Sequence, residues 1–369
     1  MPRHFIAENW LSLKLKPSSG LSKLKLRVRD WVEVRSKDEI LATLDRYGRL
    51  EELPFMPQMF QYCGQRFRVF KRAHKTCDTV NPIRGRRVSS AVHLDLRCDG
   101  EAYGGCQAFC LIFWKVAWLK PVNEISDVAV SSSKGKFPEK NSLDNAISCT
   151  EVDVWKGTRN VDQQATDEPR YICQATQLPY FTTSLRCWDL RQYIEDFTSG
   201  NVTMWEIIRG LIYACYHIIA RRRRLGRPFR WIYDTVQSLW GGIPFPRKIG
   251  TIPPGQSTPT SVLNLKPGEL VRVKSYEMIL KTLDINKTNR GLAFDAEMVP
   301  YCGNTYRVKI RVDKFIDEKS GRLIKLNSDA IILENVWCQS RYSNCRMFCP
   351  RSIYSWWREI WFERVSEGA

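Results

Sequence analysis

The chain has 369 residues, 43% hydrophobic, 26% charged and 12% aromatic, a profile that excludes disordered, collagenous and membrane-bundle proteins and suits two or three domains. Its 57 lysines and arginines against 39 acids give a net charge of +18, so acidic ligands, nucleic acid and anionic membrane surfaces remain open as partners. The 13 cysteines are an odd number, which does not suit a secreted, fully paired disulfide scaffold.

Residues 1–24 read as an N-terminal extension. They hold no apolar core ahead of a small-residue cleavage site, so a cytoplasmic setting is expected rather than export. Residues 25–122 open on alternating Trp31–Arg35, a strand with one buried face, and Ser36 is placed to cap a short helix after it. Further strands are expected over Arg66–Ala73 and Val88–Leu96, with a turn at Arg84-Gly85. Polar residues 123–169, including Ser131-Ser132-Ser133-Lys134-Gly135-Lys136, read as a linker.

Residues 170–240 turn helical, over Trp188–Phe197, Val202–Ala220 and Arg230–Trp240. In the middle segment Met204, Ile207, Ile208, Leu211, Cys215, Ile218 and Ile219 recur at steps of three and four. Thr203 and Glu206 fit a capping box, and Arg221–Arg224 suit the negative end of the helix dipole. We expect this stripe to pack into a core; the alternative is that 203–224 lies on a membrane surface. Glu206, Arg209 and His217 argue against a spanning helix. Pro- and Gly-rich residues 241–267 form a second linker, and 268–366 a last domain.

That last domain repeats the first. Asp30-Trp31-Val32-Glu33-Val34-Arg35-Ser36 matches Glu269-Leu270-Val271-Arg272-Val273-Lys274-Ser275, and Tyr62-Cys63-Gly64 matches Tyr301-Cys302-Gly303 at the same spacing. Both copies close on Trp-basic-x-x-Trp-apolar, from Trp114 and from Trp357. In the second copy strands are expected over Thr305–Val312 and Ala330–Val336, with a turn at Ser320-Gly321. The expected fold is α+β: two homologous small β-barrels of SH3-like type flanking a helical insert.

The repeat also sorts the cysteines. Cys63, Cys98, Cys106 and Cys110 recur as Cys302, Cys338, Cys345 and Cys349. Four thiolates suit a closed zinc site or an iron–sulfur cluster, so these two tetrads are the candidate metal ligands. The spacings match neither common zinc knuckles nor ferredoxins, and reduced cysteines packed as small hydrophobes are the competing reading. The first copy adds His74, Cys77 and His93, where the second has Asp313, Ile316 and Ile332. They are the catalytic candidates, with Lys75 beside Cys77 favouring a thiolate.

More than half of the charge excess belongs to residues 1–122, the first copy with its N-terminal extension. There Arg66, Arg68, Lys71, Arg72, Arg84, Arg86 and Arg87 interleave with Phe67 and Phe70, the pattern of a phosphate-binding groove, although alternation also fits a solvated strand face. No G-x-S-x-G, H-E-x-x-H, P-loop or G-x-G-x-x-G signature occurs, which lowers hydrolase and nucleotide-dependent readings.

Glu269-Leu270-Val271-Arg272-Val273-Lys274-Ser275, the Tyr-Cys-Gly turns, Arg346 to Arg351 and Cys173-Gln174-Ala175-Thr176-Gln177-Leu178 together resemble an uncharacterised bacterial family of internally duplicated, cysteine-bearing proteins. The resemblance spans residues 25–365 and implies a bacterial, cytoplasmic protein. It also implies an accessory role beside polysaccharide or specialised-metabolite pathways. The expected function is a metal-stapled accessory binding protein; an iron–sulfur redox enzyme or electron carrier, and a nucleic-acid binder using the basic first copy, are the alternatives.

Overall fold

The two copies fold alike because the same side chains make the same bonds in each. In the computed structural model, which describes residues 25–81, 84–122, 149–160, 169–220, 226–239, 242–343 and 346–365, the strand Trp31–Val34 lies antiparallel between Arg66–Arg68 and Leu119–Pro121. Leu270–Val273 lies likewise between Thr305–Ile316 and Phe362–Arg364. Alternation buries Val32 and Val34 in one copy and Val271 and Val273 in the other, as a one-sided strand requires. Ser36 Oγ then accepts from the Glu39 amide to start the helix Lys37–Leu41, and Ser275 Oγ accepts from Met278 to start Tyr276–Leu280.

The recurring tryptophans are explained by the cores they fill. Trp118 stands edge-on to Phe55 at 5.1 Å, and Trp361 stands edge-on to Phe294 at 5.2 Å. In the second tryptophan of each motif the indole N–H is met: Trp118 Nε1 donates to Thr43 Oγ1 at 3.1 Å and Trp361 Nε1 to Thr282 Oγ1 at 2.9 Å. A buried indole without such an acceptor is costly, which ties the helix-end threonine to the tryptophan in both copies.

The α+β class holds, but among the described residues no sheet closes into a barrel. Closure needs an unbroken circuit of strand pairs. In the first copy the expected strand Arg66–Ala73 breaks into Arg66–Arg68 and Lys71–Arg72, in different sheets. The next hairpin, Lys75–Cys77 with Gly85–Val88, gives its free edge to Thr182–Leu185 of the insert. Gly85 therefore starts a strand rather than a turn. In the second copy one open five-stranded sheet ends on Tyr354–Trp357 and Phe362–Arg364, which do not pair with each other.

The insert is woven into the first copy rather than hung between linkers. Of the expected linker 123–169, residues 123–148 and 161–168 lie outside the described residues, as do 1–24. The helix Glu151–Lys156, capped by Thr150, sends Val154 into the first core. Gln174 is buried with its amide satisfied by Phe113 N, Phe113 O and Pro54 O. Helices follow at Arg191–Thr198, Met204–Ala220 and Gly226–Leu239.

The capping box forms as expected, with Thr203 N donating to Glu206 Oε2 at 2.8 Å. The stripe, however, faces outward: Met204, Ile208, Leu211, Cys215 and Ile218 are exposed. The buried side is instead Gly210, Tyr213 and His217. Gly210 decides this, since a Cβ there would lie 2.6 Å from the Phe348 ring, so the helix approaches the second copy on its glycine side. Arg221–Arg224 lie outside the described residues. Among those described, no helix is long and apolar enough to cross a membrane.

Candidate functional site

Among the described residues the recurring cysteines do not gather as two tetrads. Cys63 and Cys302 each end a 3-10 helix, Pro57–Tyr62 and Ala296–Tyr301, and neither lines the cavities where the other thiols meet. Cys98, Cys106 and Cys110 do come together, but their fourth neighbour is Cys173 of the insert, around a narrow cavity of about 30 Å³. Burial, with neighbouring thiols, pushes Cys98 well up and Cys110 up to about 12; Cys173 is raised too. These are held as neutral thiols. Cys345 lies outside the described residues. Among the described residues no group of three His, Cys, Asp or Glu side chains is placed to hold a metal ion.

The thiols converge instead on the junction between the two copies. A cleft of about 610 Å³ there is lined by Cys77, Cys106, Cys110, Cys173 and Cys338, with Glu318 and Arg346. Cys77, from the first copy, donates its amide to Cys349 Sγ of the second at 3.0 Å. Arg351, 2% exposed, reaches Cys77 O at 3.4 Å and is held by Glu318 at 2.7 Å. The Cys349 hydrogen bond pulls the Cys77 thiol down against its burial, helped by Arg351 and Arg346. Burial and the Cys77 sulfur push Cys349 well up. The Arg-x-Phe-Cys-Pro-Arg segment thus places two cations and a thiol around one cysteine of the other copy.

His74 and His93 part company. His93 is fully buried, its ring 4.5 Å from Phe113 and its Nδ1 2.8 Å from Ile112 O. Burial drives it down to about 3, so it is a neutral core histidine rather than an acid or base. His74 Nε2 is 3.0 Å from Asp196 Oδ1, and Lys75 Nζ is 2.5 Å from Asp196 Oδ2 and 2.7 Å from Met347 O. This buried cluster joins first copy, insert and second copy. Asp196 carried no signal in sequence, because its partners lie more than a hundred residues away.

Beside this cluster a cavity of about 560 Å³ opens between the insert and both copies. Tyr213, Tyr216, Tyr233, Trp337, Tyr342 and Phe348 supply aromatic walls, and Lys71, Arg209 and Arg341 face a single carboxylate, Glu206. Arg341 stands 3.9 Å from Glu206, and Lys71 Nζ donates to Asn201 O at 2.6 Å. Burial lowers Lys71 and pushes Tyr213 up to about 12. The Arg341–Tyr342 turn is pinned from behind by Glu297, which accepts both amides. Burial drives Glu297 up to about 7 despite those amides.

The expected phosphate groove is divided among other duties. Arg66 pairs with Glu33 at 3.3 Å, Arg68 lies over Trp31, and the Arg72 backbone bonds Asn201. Arg86 holds Thr182 and Pro179 O, and Arg87 pairs with Glu195 at 3.0 Å, so both fasten the insert. Lys71 turns into the cavity, and Arg84 is exposed. No protein-family profile matches the chain, and no curated protein is significantly similar to it.

Proposed function

We propose that the chain is an accessory binding protein that holds a small aromatic anion in the cavity between the insert and the two copies. The observation that carries this is the lining itself, three cations against one carboxylate among aromatic rings in about 560 Å³. That volume is in the range of small-molecule sites, whose apolar walls bind and whose few polar groups orient. The rings offer stacking faces and the cations an anchor for a carboxylate, sulfonate or phosphate.

Anilinonaphthalene sulfonate is a suitable probe. It should bind saturably, and Arg341→Glu should weaken it by roughly tenfold or more, the worth of one charge-assisted contact. Gly210→Ala, whose new methyl meets the Phe348 ring at the cavity wall, should weaken it as well. Binding that never saturates, or that ignores both changes, would overturn the reading. The zinc or iron–sulfur expectation stands as a separate proposal, tested by elemental analysis of chain purified without air.

The outward face of the insert favours a second reading, contact of 203–224 with an anionic membrane surface. Trp205, Ile212, Ile218 and Trp231 are each more than half exposed, and apolar patches of this kind mark interaction sites. Co-sedimentation with phosphatidylserine vesicles, lost on Trp205→Asp and Ile212→Asp, is the test. Retention of vesicle binding by that double variant would reject it.

A further inference from the structure

We propose that Cys77 and Cys349 form a peroxide-reactive dithiol, with Cys77 as the attacking sulfur and Cys349 as the resolving one. The two come from different copies, 272 residues apart, yet the Cys77 amide lies 3.0 Å from Cys349 Sγ. Cys77 lines the wide cleft between the copies, so a molecule as small as hydrogen peroxide can reach it. Arg351 touches the Cys77 carbonyl, and Arg346 lines the same cleft. Cations beside a thiolate both favour it and stabilise the charge that departs from the peroxide.

Both cysteines are buried at the junction, and the Cys77 amide holds the Cys349 sulfur in place. Three other thiols of the junction are held neutral. Cys98, Cys110 and Cys173 are all raised by burial.

The chemistry closes without a cofactor. The Cys77 thiolate attacks one peroxide oxygen, the O–O bond breaks, and hydroxide leaves, giving a sulfenic acid at Cys77. Cys349 then attacks that sulfur, its proton leaves with the hydroxyl as water, and an S–S bond forms. The two sulfurs together lose two electrons, and the peroxide is reduced to one water and one hydroxide, which takes a proton from solvent to become the second water. The product is a covalent tie between the copies.

The full-length reduced chain is treated with limiting hydrogen peroxide and mapped by mass spectrometry of its peptides. The first product expected is a bridge joining the Cys77 and Cys349 peptides, with loss of two hydrogens. Cys349→Ser should stop at a Cys77 sulfenic acid captured by dimedone, and Cys77→Ser should slow oxidation at least about tenfold. Cys302→Ser should behave as the parent chain. A first bridge that omits either residue, or a Cys77 that stays reduced while other cysteines are modified, overturns the proposal. The parent map and Cys349→Ser decide the matter even where Cys77→Ser fails to fold.

Discussion

Replacing Asp196 with asparagine should destabilise the chain by about 3–5 kcal/mol, the range for breaking one side of a buried ion pair. Lys75 is 3% exposed and Asp196 0%. After the change Lys75 Nζ keeps Met347 O at 2.7 Å and Gln192 Oε1 at 3.4 Å, with the Tyr193 and Phe348 rings 5.0 and 5.7 Å away. Those neutral partners offset part of the desolvation, so the lysine need not become an unpaired charge. The upper bound is set by its other option, to fold deprotonated, which at pH 7 costs about 5 kcal/mol for a lysine of ordinary pKa.

The two options differ in pH dependence. A lysine neutral in the folded state and protonated when unfolded makes the unfolded chain bind more protons, so stability rises with pH. The slope is about 1.4 kcal/mol per unit from pH 7 toward 10. Urea unfolding followed by tryptophan fluorescence at pH 7 and pH 9 measures both the loss and the slope. The double variant Lys75→Met with Asp196→Leu should recover most of the loss, because an apolar pair of similar volume removes the desolvation cost altogether. A loss under about 1 kcal/mol for Asp196→Asn, or a double variant no better than the single one, would refute the idea that this cluster fastens the insert to both copies.

Two further changes probe the frame around the cavity. Glu297 is raised by burial from 4.5 to about 7, so between those values the folded chain holds a proton that the unfolded chain has lost. Its contribution is therefore fully present below about pH 4.5 and lost as pH rises through about 7, a decline of about 3 kcal/mol. Glu297→Gln should flatten that decline in melting temperature between pH 5 and pH 8; an unchanged slope would remove Glu297 as its source. Thr43→Val and Thr282→Val each leave a buried indole N–H without its acceptor. Each should cost about 1–3 kcal/mol by urea unfolding, and strongly unequal losses would argue against equivalent roles in the two copies.

What was legible in the sequence was what local chemistry repeats. The strand, the serine cap and the Trp-basic-x-x-Trp close are fixed by neighbours within a turn or one hairpin, so both copies show them and both fold accordingly. The Tyr-Cys-Gly pair recurs as well, and the structure shows what its last residue does. Its constant is the glycine: Gly64 and Gly303 sit at φ of +75° and +81°, and each donates its amide to the first strand of its copy, at Val34 O and Val273 O. A left-handed turn residue of this kind is favoured as glycine whatever stands before it, so the recurrence of Gly64 and Gly303 follows from turn geometry.

The barrels failed for a different reason. Closure depends on which strand takes an open edge, and in the first copy that strand, Thr182–Leu185, comes from the insert. Periodicity likewise told which side of the helix Met204–Ala220 is apolar but not which side is buried; that was settled by Gly210 against Phe348. The same logic explains why spacing pointed to tetrads within each copy while the structure sets Cys77 against Cys349. A duplicated sequence displays whatever each copy does alone. Contacts made once, between the copies, leave no repeat, and Cys77, which has isoleucine at its counterpart Ile316, marks one of them. The residues in which a duplicated chain stops resembling itself are therefore where its shared site is to be sought.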